Sequence, residues 1–335
     1  MNKELMGALD ELEREKNISK ETLLDAIEQS LIQAYKNHFG KADNVHVTIN
    51  RETGDFSVYA DRRVVEYVED PAEEVSLVEA QKQNTNAEVG DILKVPVHSD
   101  KFGRIATQNA KNVILQKIRE EERKVLFDQY HGNEKEVVTG IVQRVVGHNV
   151  SVNLGKADAI LAENEQVKGE TFKPTERIKV YILEVKDTPK GPRILVSRTH
   201  PGLVKRLFES EVAEVKDGTV EIKSIAREAG SRTKLAVWSN DPDVDPVGAC
   251  VGVNGARVSA IVNELRGEKI DIINWDENPA ILIENALSPA KVIAVMADPD
   301  EKTALVVVPD YQLSLAIGKE GQNARLAARL TGFKI

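Results

Sequence analysis

The chain has a single cysteine, Cys250, so no intramolecular disulfide can form and a reducing, cytoplasmic setting is expected. Its six histidines are scattered and show no metal-ligand spacing. No run of about 18 apolar residues occurs, which argues against a membrane span. The opening residues, MNKELMGALDELEREK, are charged throughout and lack the apolar stretch of a signal peptide. With 335 residues, the chain has length for about two to four domains, each able to bury a core.

A net charge of −9 argues at first against a nucleic-acid partner, but the charge is uneven. Residues 1–134 hold 18 Lys+Arg against 26 Asp+Glu, a balance of −8. Residues 135–200 hold 11 against 8, or +3, and residues 201–335 hold 16 against 20, or −4. The acidic first third is therefore expected to meet a protein, while the middle is free to face phosphates.

What is present is a repeat. Val-Gly-Val-Asn-Gly at 251–255 and Ile-Gly-Lys-Glu-Gly at 317–321 place Gly252 and Gly318 66 residues apart. Each loop follows a small-residue helical segment, PVGACVG or QLSLAIG, and opens a helix with an early arginine, Arg257 or Arg325. Both copies then meet a Gly-x-Lys-Ile tail, at 267–270 and 332–335. A repeat of this length indicates duplicated modules rather than one enzyme core. Two glycines spaced by two residues let backbone approach a phosphate, and the following helix N-terminus adds donors and positive potential. One such pair alone is an ordinary turn; two in matching contexts point to single-stranded nucleic acid held along its backbone.

Ahead of the repeat, Leu5, Leu9 and Leu12 keep helical spacing. So do Leu24, Ile27, Leu31 and Tyr35 after a Ser19 cap, with Gly40 as the stop. VHVTIN and DFSVYA alternate about a turn at 51–54 and predict a hairpin, followed by a strand at 91–97. From about 104 to 130 a charged, largely solvated helix is expected, with Ile114, Ile118 and Val125 as a narrow apolar stripe and Glu120 paired with Lys124. Residues 135–200 read as five short strands, a small closed barrel of the OB type. Each repeat copy then reads helix, strand, strand, helix, glycine loop, helix, strand, over 201–277 and 278–335. The second lacks a counterpart to DIINW (271–275), so the given chain is expected to end inside that module.

The segments SRTHPGLVKRLFESEV, DGTVEIKSIAREAGSRTKLAV, DPVGACVGVNGARV and ELRGEKIDIINW closely resemble the NusA family of bacterial transcription elongation factors. The likeness spans the chain and is most specific over 197–275; the first third matches in layout. It implies an α+β multidomain fold: an α/β N-terminal domain that binds RNA polymerase (1–134), an OB-type barrel of the ribosomal S-one kind (135–200), and two tandem type II KH domains. In KH modules the glycine loop clamps about four nucleotides of backbone while bases lie in an apolar groove. By position the clamps would be Gly252, Val253, Asn254, Gly255 and Arg257, and Gly318, Lys319, Glu320, Gly321 and Arg325. Glu320 faces a phosphate poorly. Ile261, Ile270 and Ile272 are groove candidates, with plain core packing an equal alternative.

The barrel departs from its wider family, whose nucleic-acid face usually carries aromatics. Here the matching segment is VVGHNV (145–150), and a histidine common one strand later is replaced near Ala162. Contacts from Arg144, Lys156, Lys190, Arg193 and Arg198 would have to carry RNA binding, so the barrel is expected to guide RNA rather than read it. On the long helix, Lys101, Arg104 and Lys111 form a candidate basic face, with ordinary exposed charge as the alternative; the resemblance implies that this side lies near the polymerase's RNA exit. The run SNDPDVDP offers Asp241, Asp243 and Asp245, but Pro246 and Gly252 stand where a calcium loop needs glycine and glutamate. A helix start, with Asp245 as cap and Pro246 in the first turn, is the better account. Cys250 reads as packing.

The expected function is therefore non-enzymatic, with no cofactor and no metal. The chain would be a monomeric RNA-binding factor that docks on core RNA polymerase, holds nascent single-stranded RNA, and modulates pausing, intrinsic termination and antitermination with other elongation factors. An exoribonuclease-associated subunit or a ribosome-assembly factor remains open, because both use KH and OB modules; the former would need a catalytic domain that 1–134 does not supply.

Overall fold

The computed structural model describes residues 2–39, 43–97 and 100–335, with side chains over 6–37, 43–97 and 104–335. It divides into two compact units, the second being Leu126–Ile335.

In the first unit, α1 (Asn2–Lys16) and α2 (Lys20–Phe39) cover a small sheet. Ser19 starts α2 as the spacing predicts, its hydroxyl accepting from the Thr22 amide at 3.5 Å. Leu9, Leu24, Ile27, Leu31 and Tyr35 are all buried, because apolar residues three and four apart share one helix face. The expected stop at Gly40 lies outside the described residues. β1 (Val45–Ile49) and β2 (Phe56–Val65) form the hairpin. The β1 residues Val45, Val47 and Ile49 alternate inward, as a half-buried strand requires. β2 also pairs with β3 (Glu74–Ser76), which leads into α3 (Leu77–Gln83), and on its other edge with β4 (Ile92–Pro96).

The long helix α4 runs Asp100–His131. Ile114 and Ile118 pack on the first unit's core, but Val125 is 63% exposed and does not continue the stripe. Glu120 pairs backwards with Lys117 at 2.9 Å and with Gln116, not forwards with Lys124. The last turn, Leu126, Phe127 and Tyr130, packs on the barrel core in the second unit.

Five strands close that barrel: β5 (Val137–Val146), β6 (Asn149–Asn153), β7 (Asp158–Leu161), β8 (Arg177–Thr188) and β9 (Gly191–Ser197), in the order β5-β6-β7-β9-β8. Val152, Ala159, Leu161, Val180, Ile182 and Ile194 fill it.

The first repeat copy consists of α5 (Pro201–Glu211), α6 (Ala213–Lys216), β10 (Val220–Glu228), β11 (Arg232–Ser239), α7 (Pro246–Val251), α8 (Ala256–Glu264) and β12 (Lys269–Asn274). Its sheet is ordered β10-β11-β12, with β11 and β12 parallel. The second copy consists of α9 (Pro279–Ala286), β13 (Ala294–Asp298), β14 (Thr303–Val307), α10 (Asp310–Ile317) and α11 (Gln322–Thr331), with Lys334 bridging parallel to Thr303. The two copies are not beads on a string. Ala226, Ala236 and Ile273, on the face of the first sheet turned away from its own helices, share one core with Leu282, Ile283, Leu326, Ala327 and Leu330 of the second copy. Lys234 is fully buried there and donates to Asp271 at 3.0 Å and to the Ser288 carbonyl at 2.9 Å.

Candidate nucleic-acid interface

Both glycine loops lie at the surface and are built alike. In the first, Asp245 caps α7 by accepting from the Val247 amide at 3.1 Å, with Pro246 in the opening turn. This is the helix start expected for SNDPDVDP, and among the described residues no group of three His, Cys, Asp or Glu is placed to hold a metal. Gly252 ends α7 with its amide on the Gly248 carbonyl at 2.9 Å, and Gly255 closes the loop onto the Gly252 carbonyl at 3.1 Å. In the second loop, Gly318 bonds Ser314 at 2.9 Å and Gly321 bonds Gly318 at 3.1 Å.

The backbone angles repeat as well. Gly252 has φ 76° and ψ 174°, Asn254 φ 53° and ψ 26°, Gly255 φ 74° and ψ 17°. Gly318 has φ 73° and ψ 172°, Glu320 φ 55° and ψ 25°, Gly321 φ 77° and ψ 13°. The first glycine of each loop occupies a region open only to glycine, whereas the middle and last positions are left-handed. A side chain on Gly318 would also meet the backbone nitrogen of Asn323 at 2.8 Å, and one on Gly252 would meet Arg257 Cγ at 2.7 Å. The first glycine thus lets the helix after the loop pack against the one before it.

Arg257 and Arg325 do not occupy equivalent positions. Counted from the first glycine, Arg257 corresponds to Asn323, and Arg325 to Ser259. Arg257 and Asn323 fill the same role by different chemistry. Arg257 Nη1 donates to the Ala249 carbonyl at 2.7 Å and to Glu214 at 2.8 Å. Asn323 Nδ2 donates to the Ala316 carbonyl at 3.1 Å and, more weakly at 3.4 Å, to Leu315, the counterpart of Ala249. Each stitches the second helix of its module to the last carbonyls of the helix before the loop. Arg325 points elsewhere, its Nε donating to Glu228 at 2.6 Å and its Nη1 to the Glu320 carbonyl at 3.0 Å. The bond between them holds the Glu228 carboxyl below its ordinary range and lifts the Arg325 guanidinium above its own.

Between the glycines, Val253 is 83% exposed, and Asn254, Lys319 and Glu320 are exposed. Of the groove candidates, Ile261 is 1% exposed within the first module's core, so it is packing and not groove. Ile270 and Ile272, on edge strand β12, are half-buried against the same cluster.

On the barrel, Arg144, Lys156, Lys190 and Arg193 are exposed. Arg144 lies opposite Ser151 on β6, and Arg193 opposite Lys186 on β8. Val145 and Val146 stand exposed beside Arg144, in the segment where aromatics are absent. Arg198 is not part of this surface. Its side chain is buried, paired with both Glu170 oxygens at 2.6 and 2.7 Å, and it donates to the carbonyls of Lys179 at 2.7 Å and Glu264 at 3.1 Å. Arg198 therefore pins the barrel to the first repeat module instead of meeting RNA. Nothing in its sequence context separates it from a surface arginine, because its partners lie 28 and 66 residues away. A second buried pair, Arg227 with Glu268 at 2.9 Å, is equally silent in the sequence. On α4, Arg104 and Lys111 are exposed, and the Lys101 side chain falls outside the described set. Cys250 is buried, and burial pushes its thiol up to about 11.

Four family models match in succession: the NusA N-terminal domain over residues 4–124, the S1 RNA binding domain over 132–197, the NusA-like first KH domain over 198–275 and the NusA-like second KH domain over 279–335. Along its full length the chain is similar to curated proteins named transcription termination/antitermination protein NusA. Identity is 56% with that of Bacillus subtilis (strain 168), covering 90% of the relative, and 55% with that of Halalkalibacterium halodurans, covering 88%. With that of Thermus thermophilus it is 42%, covering 89%.

Proposed function

Because this chain belongs to the NusA family, we propose that it is an RNA-binding transcription factor that docks on core RNA polymerase and holds nascent single-stranded RNA. Through that grip it modulates pausing, intrinsic termination and antitermination together with other elongation factors. It works as a monomer in the cytoplasm, without catalysis. The acidic region 1–134 is the polymerase-binding domain, 135–200 the barrel, and 201–277 and 278–335 the two KH domains. No helix among the described residues is long and apolar enough to cross a membrane.

The observation that carries this reading is the pair of exposed loops with the same backbone angles, each opening a helix. Backbone amides and the helix N-terminus present partial positive charge to a phosphate. Gly252, Val253, Asn254 and Gly255 make the first clamp, and Gly318, Lys319, Glu320 and Gly321 the second. Ile270 and Ile272 line the first groove. Arg144, Lys156, Lys190 and Arg193 steer RNA along the barrel, and Arg104 and Lys111 meet transcript on the N-terminal domain. The two clamps are unequal: Glu320 repels phosphate, whereas Val253 and Asn254 carry no charge. Tethering makes modest affinity sufficient, since a site fixed to the polymerase meets transcript at high effective concentration.

The test is the double substitution Val253→Asp and Asn254→Asp. Val253 is exposed, and Asn254 has a left-handed φ that aspartate tolerates, so the melting temperature should hold. Affinity for an unstructured oligoribonucleotide should fall roughly threefold to tenfold at low salt. Equal affinity for variant and parent would refute the first clamp.

A further inference from the structure

The second loop places a glutamate, Glu320, in a left-handed conformation that such a side chain rarely adopts. Arg325 of the same domain holds it, and Arg325 is itself anchored on the other KH domain. Arg325 donates to Glu228 Oε1 at 2.6 Å and Oε2 at 3.2 Å, and with its remaining nitrogen to the Glu320 carbonyl at 3.0 Å. A planar guanidinium engaged on both sides in this way is fixed in orientation as well as in place. The neighbouring Gln322 reinforces it by donating to Glu228 at 2.9 Å and to Ser231 Oγ at 2.7 Å, while Arg329 approaches Glu228 at 3.7 Å. Glu228 and Ser231 belong to the β10–β11 end of the first domain's sheet; Gln322, Arg325 and Arg329 line α11, which opens at the second loop. The first loop has no such arrangement, for Ser259 stands at the position of Arg325 and Asn254 suits its own left-handed turn.

We propose that Glu228 of the first KH domain is a positioning residue for the second phosphate clamp, holding Arg325 as a strut against the Glu320 carbonyl. Arg325 is then committed to the loop's shape and is not itself a phosphate ligand. The first domain thereby supports the second domain's binding loop. This inference rests on the function proposed above.

The experiment measures affinity of the full chain for an unstructured oligoribonucleotide across a salt series, for the parent, Glu228→Gln and Arg325→Lys. As a strut, the pair predicts roughly twofold to fivefold weaker binding for each variant. It also predicts an unchanged slope of log affinity against log salt, because no phosphate contact is lost. If Arg325 were a ligand that Glu228 competes for, Glu228→Gln would bind more tightly with a steeper slope, and Arg325→Lys would keep its affinity. Either of those results overturns the proposal. So does parental affinity in both variants, whatever their melting points do, since a role in stability alone would move the melting point without moving RNA binding. Should the parent itself fail to bind RNA, the functional reading falls first, an outcome separate from failure of the strut.

Discussion

Gly318→Ala and Gly321→Ala are chemically identical changes three residues apart, yet the structure assigns them different costs. At Gly318 the backbone has φ 73° and ψ 172°, a conformation that costs a non-glycine residue ~1–3 kcal/mol. The added carbon would also lie 2.8 Å from the backbone nitrogen and Cβ of Asn323, neither of which can rotate away. Such overpacking adds ~1–3 kcal/mol, so about 4 kcal/mol is expected in all. At Gly321 the backbone is left-handed, and the nearest atom is the tip of Arg325 at 3.9 Å, leaving only a penalty of ~1 kcal/mol. For a unit the size of Leu126–Ile335, each kcal/mol moves the midpoint by about 2–4 °C. Gly318→Ala should therefore melt roughly 8–16 °C lower and Gly321→Ala about 2–4 °C lower. Both tryptophans, Trp238 and Trp275, lie in this unit, so intrinsic fluorescence on heating reports it alone. Equal shifts in the two variants would refute the claim that the first glycine is required for close helix approach and the last is not.

Two further outcomes bear on residues whose roles the structure reassigns. Replacing Arg198 with alanine strands the buried Glu170 carboxylate and should cost about 3–5 kcal/mol, while RNA affinity measured well below the melting point stays at the parental level; a loss of affinity without loss of stability would return Arg198 to the RNA surface. Cys250, buried with its thiol pushed up to about 11, should resist a thiol-specific reagent in native buffer at pH 8 and react fully in denaturant; rapid native labelling would show that the helix before the first loop opens.

Much of the fold is legible in the sequence because it is local. The α2 stripe, the β1–β2 hairpin, the Asp245 cap and the five barrel strands each follow from spacing within about ten residues, where periodicity and turn chemistry dominate. The strand β3 leaves no signal because three residues are too few to alternate, and α3 leaves none because it is a single short stretch after it. What escapes altogether is pairing across the chain. Arg198 reads as basic surface and nothing marks Arg227, yet both are buried against carboxylates that only tertiary packing brings to them. The Arg257–Arg325 pairing misleads for a simpler reason. Similar residues two positions out of register look equivalent in a sequence, whereas the carbonyls they bind, at Ala249 and at Leu315 and Ala316, show that Arg257 answers to Asn323.

On the proposed reading, the shared core between the repeat copies changes how a pair of weak clamps works. Linked by a flexible tether, two clamps would hold RNA at a distribution of separations, and the second contact would gain only the effective concentration that the tether allows. Here the first sheet's Ala226, Ala236 and Ile273 are buried against α9 and α11, and Glu228 reaches the helix that opens at the second loop. Separating the domains would expose this apolar surface and the buried Lys234, so their relative placement is set by the same forces that fold each one. A rigid pair meets the ordering cost of the second contact during folding, and it accepts only a path of RNA backbone that fits both clamps at once.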